Sequence, residues 1–139
     1  MRYILIIFLF FSTPAIAAIR QMCVDKQCIT VELAQTPQAL TAGLMGRDRL
    51  VDGHGMLFVF NNPDFHTFWM KNMKFSLDML WLDEDFTIVD IRRDVKPCVS
   101  DDCPSLKPTH RAKYVLEINA GAAANMSLNL NQRFKVVNN

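Results

Sequence analysis

Residues 55–83 read GMLFVFNNPDFHTFWMKNMKFSLDMLWLD, and this stretch decides the fold. It contains three apolar runs, at residues 55–60, 68–72 and 77–83, which are bounded by Gly, Asn, Pro, Ser and Asp. Short runs rich in Phe, Trp, Leu and Val between such residues are typical of buried β-strands. We therefore predict three consecutive strands, with a turn at residues 61–64 between the first two.

The rest of the chain adds short strands and little helix. Alternation of apolar and polar residues predicts further strands at residues 29–33, 86–91, 114–119 and 134–137. Thr36 as N-cap with Pro37 after it predicts a helix of about ten residues that ends at Gly46, and residues 120–126 can form one or two helical turns. Residues 94–113 contain three prolines and no periodicity, which indicates a long loop. We expect an α+β fold, mostly antiparallel sheet with one or two short helices, which could curl into a partial barrel to hide its edges.

Residues 1–17 have the pattern of a secretory signal peptide. Arg2 gives the positive start, residues 4–11 form an apolar run too short to span a bilayer, and Ala15-Ile16-Ala17 fits a cleavage site. The alternative is a retained membrane anchor. We predict cleavage after Ala17, one domain over residues 18–139, a periplasmic or secreted location and no stable membrane anchor in the mature protein.

The charge balance argues against one class of partner. The chain has 15 basic and 14 acidic residues, and removal of Arg2 with the leader leaves 14 of each. Because this composition supplies no basic face, we expect no binding of nucleic acid. The sequence also lacks a glycine-rich phosphate loop, and we expect no cofactor.

Four cysteines in an exported chain are expected to be oxidised. A two-residue turn at Asp25-Lys26 would place Cys23 directly opposite Cys28 in a hairpin, and Cys98 and Cys103 would close a second short loop. Sequence alone allows three connectivities. The alternative is a four-cysteine zinc site, because two C-x4-C pairs have suitable ligand spacing, but export favours disulfides.

Several motifs, taken together and in order, cover most of the mature chain. They are Gly43-Leu44-Met45-Gly46-Arg47, residues 55–60, Phe68-Trp69-Met70-Lys71-Asn72, Leu77-Asp78, and Tyr114-Val115-Leu116-Glu117 with Gly121 four positions later. With these motifs the chain resembles the domain of unknown function 192 family, also called uncharacterised protein family 0127. It departs from the family at Met73, Phe75-Ser76 and Asn131, which bears on local turn geometry. The resemblance implies a compact, mostly β domain that is often exported, and it implies no established activity.

Polar residues embedded in the apolar motifs are the candidates for a site. They are Arg47, Lys71, Asn72, Asp78 and Glu117. Asp78 could lie opposite Trp69 and Lys71 after a turn, and the simplest hypothesis is a structural ion pair of Asp78 with Lys71 or Arg47. The other hypothesis is a cleft surrounded by Arg47, Lys71 and Asn72, with Trp69 and Trp81 at its bottom. Such a cleft suits an anionic or carbohydrate ligand.

Catalytic and metal-binding hypotheses have fewer candidates. Asp78 and Glu117 could serve as the two carboxylates of a glycosidase, although the sequence does not fix their separation. His54, Asp64 and His66 flank the first strand and could form a two-histidine, one-carboxylate metal site, whereas loop histidines are more often solvated. The methionines could suggest a soft metal, but their places in strands favour packing.

We therefore interpret the chain as an exported, non-enzymatic binding or accessory module of the cell envelope. Its predicted ligand site consists of Arg47, Trp69, Lys71, Asn72 and Asp78. The expected partner is an envelope protein or a small anionic or carbohydrate ligand. The alternative is a small hydrolase that acts on envelope polymers, with Asp78 and Glu117 as acid and base.

Overall fold

The computed structural model describes residues 19–137, which form a seven-stranded sheet and two short helices. In chain order the strands are β1 (Ile19–Val24), β2 (Gln27–Ala34), β3 (His54–Asp64), β4 (Leu77–Leu82), β5 (Ile88–Val95), β6 (Ala112–Asn119) and β7 (Lys135–Val137). Helix α1 (Pro37–Ala42) lies between β2 and β3, and α2 (Ala122–Asn125) lies between β6 and β7. Neither of these two helices has the length and apolar composition of a membrane span. The predicted signal peptide, residues 1–17, lies outside the described residues.

The strands are ordered β5-β4-β6-β3-β2-β1-β7 across the sheet. Every neighbouring pair is antiparallel except β2 and β3, which are parallel. A parallel pair needs a crossover connection, and the segment that contains α1 supplies it. The sheet is therefore mixed. The prediction of a mostly sheet structure with short helices is confirmed, while the antiparallel description holds only approximately.

The sheet is open, so the predicted partial barrel is not closed by a pair of strands. The segment that precedes β7 contacts the other edge of the sheet at β5 and at the residues just before it. There, the Ile88 N–H donates to Gln132 O at 2.8 Å and the Phe134 N–H donates to Phe86 O at 3.0 Å. A single bridge between Thr87 and Arg133 accompanies these bonds.

Both faces of the sheet are covered, and each face has its own apolar core. On the face that we call the α2 face, Leu57, Leu80, Leu116 and Ile118 pack with Ala123 of α2. The opposite face, the α1 face, buries Met56, Phe58, Met79, Trp81 and Val115 beneath α1 and the loops around it. Because strand residues alternate between faces, neighbouring strand positions belong to different cores.

The two predicted disulfides are present. Cys23 and Cys28 are direct cross-strand partners in the β1–β2 hairpin, with Cα atoms 4.1 Å apart, and Cys98 is bonded to Cys103. No free cysteine remains. The alternative of a four-cysteine zinc site is therefore wrong, because every candidate thiolate is in a disulfide.

Two of the predicted boundaries are wrong around β3. Residues 61–64 do not form a turn: β3 continues to Asp64, which pairs with Ala112 of β6 after a shift in register. Residues 68–72 are not a strand, since only single bridges join Phe68 to Leu106 and Lys71 to Cys98. The aromatic residues of this run anchor a loop, as the edge-to-face contact of Phe68 with Phe58 at 4.8 Å shows.

Helix α1 is shorter than predicted. Thr36 Oγ1 accepts a hydrogen bond from the Ala39 N–H at 3.2 Å, and Pro37 occupies the first turn, as the sequence indicated. The helix ends at Gly43 rather than at Gly46. Gly43 has φ 48° and ψ −134°, a conformation that favours glycine and stops the helix.

Candidate ligand-binding site

Glu117 lies at the centre of the α1 face. Strand β6 is apolar around it, and the register places Met56 of β3 on one side of Glu117 and Met79 of β4 on the other. Cross-strand partners lie on the same face with their Cβ atoms about 5 Å apart. A single carboxylic acid therefore lies between two methionines in the middle of an apolar surface.

The Glu117 carboxyl is buried without a hydrogen-bond donor from the described part of the chain. The residue is 4% exposed, and no group of residues 19–137 donates a hydrogen bond to its carboxyl. The carboxyl oxygens keep slight exposure, because no fully buried side-chain oxygen of these residues lacks a partner. Burial removes the carboxylate from water, which raises the pKa of Glu117 to about 8. At pH 7 the side chain is mainly the neutral acid, which can both donate and accept a hydrogen bond.

The carboxyl faces a small cavity of about 50 Å³, which we call the Glu117 pocket. Its walls come from α1, the loop that follows it, β3 and residues 68–73. The lining residues are Leu40, Thr41, Ala42, Gly43, Leu44, Met45, Phe58, Phe68, Trp69, Met73 and Glu117. Because a water molecule takes about 30 Å³ in the liquid, this pocket has room for the tip of a side chain or a similar small group.

The end of α1 sets the depth of the Glu117 pocket. A methyl group added to Gly43 would lie only 3.1 Å from Cζ of Phe58. The helix end therefore rests directly on the Phe58 ring, and a glycine is needed both for its backbone conformation and for this close approach. Phe58 in turn packs edge-on against Phe68, which completes an aromatic wall.

Trp69 lines the Glu117 pocket, whereas Lys71 and Asn72, which follow it in the chain, lie outside the lining. The Trp69 side chain is 53% exposed, and Lys71 Nζ lies 5.8 Å from the centroid of its ring. Asn72 has φ 60°, and its carbonyl accepts a hydrogen bond from the Gly46 N–H at 3.0 Å. An adjoining cavity of about 460 Å³ is lined by Lys71, Asn72 and the loop of the Cys98–Cys103 disulfide. The structure thus brings these three predicted residues together.

Arg47 lies in the connection between α1 and β3, and its guanidinium already has a partner. Its guanidinium forms a bidentate ion pair with Glu32 of β2, at 2.7 and 2.9 Å. The hydrogen bond from Arg47 lowers the pKa of Glu32, and the same contact raises the pKa of Arg47. Glu32 is opposite Met56 on the α1 face, so this pair lies on the same row of the sheet as Glu117. The structure assigns the guanidinium a structural partner that the sequence did not predict.

Asp78 is not part of this group, and its predicted ion pair with Lys71 or Arg47 is wrong. It is 1% exposed and lies on the α2 face, where it pairs with Ile118. Its two carboxyl oxygens accept backbone N–H groups from Asp94 at 2.8 Å and from Ala123 at 2.9 Å. These amides, and not a cation, satisfy the buried carboxylate.

The proposed acid and base pair is also wrong. Asp78 is level with Ile118, and Glu117 is level with Met79, on adjacent strands. Their side chains therefore point to opposite faces of the sheet and cannot flank one substrate bond. Trp81 is not a floor for a cleft either, because it is fully buried and donates its indole N–H to His66 O at 2.8 Å.

The metal-site candidates are far apart. His54 begins β3, whereas Asp64 ends it and His66 follows, so the eleven-residue strand separates the histidines by roughly 30 Å. Within residues 19–137 no group of three or more His, Cys, Asp or Glu side chains could hold a metal ion. His54 instead borders an open cavity of about 580 Å³ at the other end of the sheet, whose lining contains no buried charged side chain.

Sequence reasoning missed most of the pocket. Met45, Met73 and Leu40 line it, and although the helical spacing predicts that Leu40, Leu44 and Met45 are buried, nothing in the sequence places them beside Glu117. Asp90, a buried carboxylate on β5, was also missed. It accepts the N–H and hydroxyl of Thr109 at 2.7 and 3.1 Å and so holds the long loop to the sheet. Glu117 was detectable because it is the single acid of β6, whereas Asp90 shares β5 with Asp94 and two arginines and did not stand out.

Comparison with known proteins supports the resemblance found in the sequence. The model of the DUF192 family, described as Uncharacterized ACR, matches residues 20–136. A proposed transcription regulator from Sinorhizobium meliloti 1021 is similar in structure, with a TM-score of 0.79 and 30% identity over 89% of this chain and 98% of that one. A protein of unknown function from Novosphingobium aromaticivorans DSM 12444 has a TM-score of 0.75 and 30% identity, over 86% of this chain and 84% of that one. No curated protein matches the chain.

Proposed function

The chain belongs to the DUF192 family, and we propose that this member is an exported, non-enzymatic binding module of the cell envelope. Its ligand inserts an apolar group into the Glu117 pocket and places an anionic group beside Lys71. The leader pattern of residues 1–17 and the two disulfides support export.

The observation that carries the proposal is the buried Glu117 carboxyl that faces a cavity. Its oxygens have no hydrogen-bond partner among residues 19–137, but they are not sealed from the pocket, since every fully buried side-chain oxygen of those residues has a partner. They are therefore free to bond a group that enters the pocket. A ligand that offers a carbonyl or hydroxyl oxygen would complete the missing hydrogen bond of the neutral acid. The surrounding Met45, Met73 and Phe68 would contact its apolar part.

Lys71, which lines the adjoining cavity, sets the polarity of the ligand. Among residues 19–137 the only carboxylate within 4.0 Å of Lys71 Nζ is that of Asp101, which is fully exposed. The Lys71 ammonium is therefore available to a ligand carboxylate or phosphate. The exposed Trp69 ring beside it can cover an apolar or flat surface of the same ligand.

Two other functions receive no support from this site. The hydrolase hypothesis needs a second catalytic carboxylate near Glu117, and Asp78 lies on the other face of the sheet. The regulator description belongs to the Sinorhizobium meliloti protein, and this chain without its leader has 14 basic and 14 acidic residues, which favours no nucleic-acid partner.

The test is an NMR titration of residues 18–139 with N-acetyl-leucine, N-acetyl-leucinamide and N-acetylglucosamine. We expect N-acetyl-leucine to shift the Trp69 indole and the amides near Gly43 and Glu117. The uncharged amide should bind about tenfold more weakly, since it lacks the carboxylate that Lys71 would hold.

Lys71→Ala should remove this preference for the carboxylate, whereas the control Lys96→Ala should keep it, because Lys96 pairs with Asp94 and lines neither the Glu117 pocket nor the cavity beside Lys71. The proposal is overturned if N-acetyl-leucine shifts none of these resonances at millimolar concentration. It is also overturned if only N-acetylglucosamine shifts them.

A further inference from the structure

One edge of β3 is only half covered. Strand β2 pairs with residues 54–58, and its last contact is between Ala34 and Phe58. Strand β3 continues for six more residues, to Asp64, and on its other edge β6 pairs with residues 55–59 and, after a shift in register, with Asp64. Within residues 19–137 no strand pairs with the β2 side of residues 59–64. Unpaired peptide groups on a strand edge are a template for another strand.

A cavity lies where a longer β2 would have run. The chain leaves the sheet after Ala34 and enters α1, and a space of about 340 Å³ opens between Gln35, Pro37 and Leu40 on one side and residues 59–62 on the other. The space is bordered by backbone that can hydrogen-bond on one wall and by apolar side chains on the other. Such a space fits an extended chain segment.

The cavity is the first part of a continuous groove. It shares Leu40, Phe60 and His66 with a second cavity of about 430 Å³, which extends to Trp69. The second cavity shares Leu40 and Trp69 with the Glu117 pocket. We call these three connected spaces the α1 groove. Any ligand that follows it passes from the open strand edge to the buried carboxyl.

The walls of the α1 groove are mainly aromatic, two lysines lie near their exposed rings, and the Asp64 carboxylate in the first cavity pairs with Arg111. His66 stacks on Phe60 at 3.6 Å, and the exposed rings of Phe65 and Trp69 lie farther along. Lysine ammonium groups lie near both exposed rings, with Lys107 Nζ 5.0 Å from the Phe65 centroid. This surface complements apolar side chains accompanied by an acidic group.

From these features we infer that the ligand of the proposed binding module is an extended polypeptide segment of another envelope protein. The segment adds as a strand to residues 59–62 of β3, which precede Pro63 and its missing N–H, and one of its apolar side chains enters the Glu117 pocket. This inference rests on the proposed function and names its partner class. A carbohydrate lacks the alternating N–H and C=O groups that pair with a strand edge.

One backbone acceptor on this edge is already used. His66 Nε2 lies 3.0 Å from Asn62 O, and because a carbonyl only accepts, the imidazole donates. The peptide would replace this side-chain donor with a backbone N–H. His66 would then remain stacked on Phe60 as part of the groove wall.

The test begins with a phage-displayed library of random 12-residue peptides selected on residues 18–139. We expect enriched peptides with apolar residues and at least one acidic residue. Gln35→Trp should fill the first cavity and weaken their binding at least tenfold. Gln38→Trp is the matched control, since Gln38 is equally exposed on α1 but lines none of the three cavities.

A scan of N-methylated versions of the best peptide then tests the strand itself. Methylation of alternate residues should abolish binding and methylation of the residues between them should not, because only every second N–H faces the partner strand. The inference is overturned if no peptide is enriched, if Gln35→Trp and Gln38→Trp bind equally, or if the scan has no two-residue period. N-acetyl-leucine needs no strand edge, so its binding to both Gln→Trp variants reports separately on the proposed function.

Discussion

Glu117 makes the stability of the folded chain depend on pH. Its pKa is raised from 4.5 to about 8 in the folded state, so the folded state holds a proton that the unfolded state has lost between these values. The stability that protonated Glu117 contributes to the folded state is therefore fully present below about pH 4.5 and is lost as pH rises toward about 8. We expect the free energy of unfolding of the parent, relative to Glu117→Gln, to fall by on the order of 3–5 kcal/mol across this range.

Urea unfolding of the two proteins at pH 5, 6.5 and 8 measures this difference. Glutamine is uncharged throughout, so ionisable groups common to both proteins cancel in the comparison. Parallel pH profiles for the parent and the variant would show that Glu117 is charged or hydrated in the folded protein.

Asp78 gives a second prediction at the scale of the residue. Each of its oxygens accepts a different backbone N–H, so asparagine can replace only one of the two acceptors. Asp78→Asn should therefore lower the free energy of unfolding by about 2–3 kcal/mol, nearly as much as Asp78→Ala. Urea unfolding checks the stability. Binding of N-acetyl-leucine should be unchanged, and a loss of binding in a folded variant would contradict the placement of Asp78 away from the site.

The sequence singled out the polar residues within apolar motifs but assigned Asp78 and Arg47 the wrong partners. Lys71, Asn72 and Trp69 do lie together, and Glu117 is a buried acid, because a polar residue inside an apolar motif marks a special environment. What the sequence could not supply is the register of β4 against β6. That register places Asp78 level with Ile118, and so on the other face from Glu117, and it is set by tertiary pairing.

At the scale of elements, α1 depends on the glycine that ends it. Gly43→Ala requires a side chain at φ 48° and brings its methyl group within 3.1 Å of the Phe58 ring. Gly46→Ala is the matched control, because φ there is also positive, at 76°, but an added methyl group meets nothing within 4 Å. We expect Gly43→Ala to cost about 2–4 kcal/mol and Gly46→Ala about 1 kcal/mol, measured by urea unfolding. Equal losses would mean that the Phe58 contact relaxes freely.

The two disulfides form a second matched pair of elements. Each closes a loop with a sequence separation of five, so removal of either should cost about 2 kcal/mol. Only Cys98 touches the site, because its N–H donates to Met70 O at 3.1 Å and its backbone forms a bridge with Lys71. Replacing Cys98 and Cys103 by serine should therefore weaken N-acetyl-leucine severalfold in the NMR titration. Replacing Cys23 and Cys28 should lower stability without weakening binding. Equal effects of the two replacements on binding would contradict the contact of Cys98 with the site.

Elements with strong alternation were predicted best. The hairpin at Cys23 and Cys28, strands β4 and β6 and the start of α1 all match, because local pattern and tertiary packing agree there. The errors lie where the local sequence pattern and the tertiary packing disagree. Residues 61–64 have the composition of a turn but pair with β6 after a shift in register, and residues 68–72 have the composition of a strand but anchor a loop.

At the scale of the whole molecule, the last segment ties the two edges of the sheet together. Phe134 is 2% exposed in the core of the α2 face, and its N–H bonds to Phe86 beside β5. Phe134→Ala should lower the free energy of unfolding by about 3–5 kcal/mol and loosen both edges. Leu130 in the same segment is 55% exposed, and Leu130→Ala should lower the free energy of unfolding by less than about 0.5 kcal/mol. Urea unfolding and amide hydrogen exchange in β1 and β5 measure both effects; protection that is unchanged in Phe134→Ala would contradict the role of this segment.

The pairing of β1 with β7, which joins Met22 to Val136, bears on when this chain can fold. Strands from opposite ends of the described chain must pair. Strand β3 pairs with β6, which lies some sixty residues later in the chain, as the pairing of Gly55 with Ile118 shows. Sheets that depend on such distant contacts fold in milliseconds to seconds. The sheet of a nascent chain therefore cannot be completed until β6 and β7 have both been synthesised and have reached their partners.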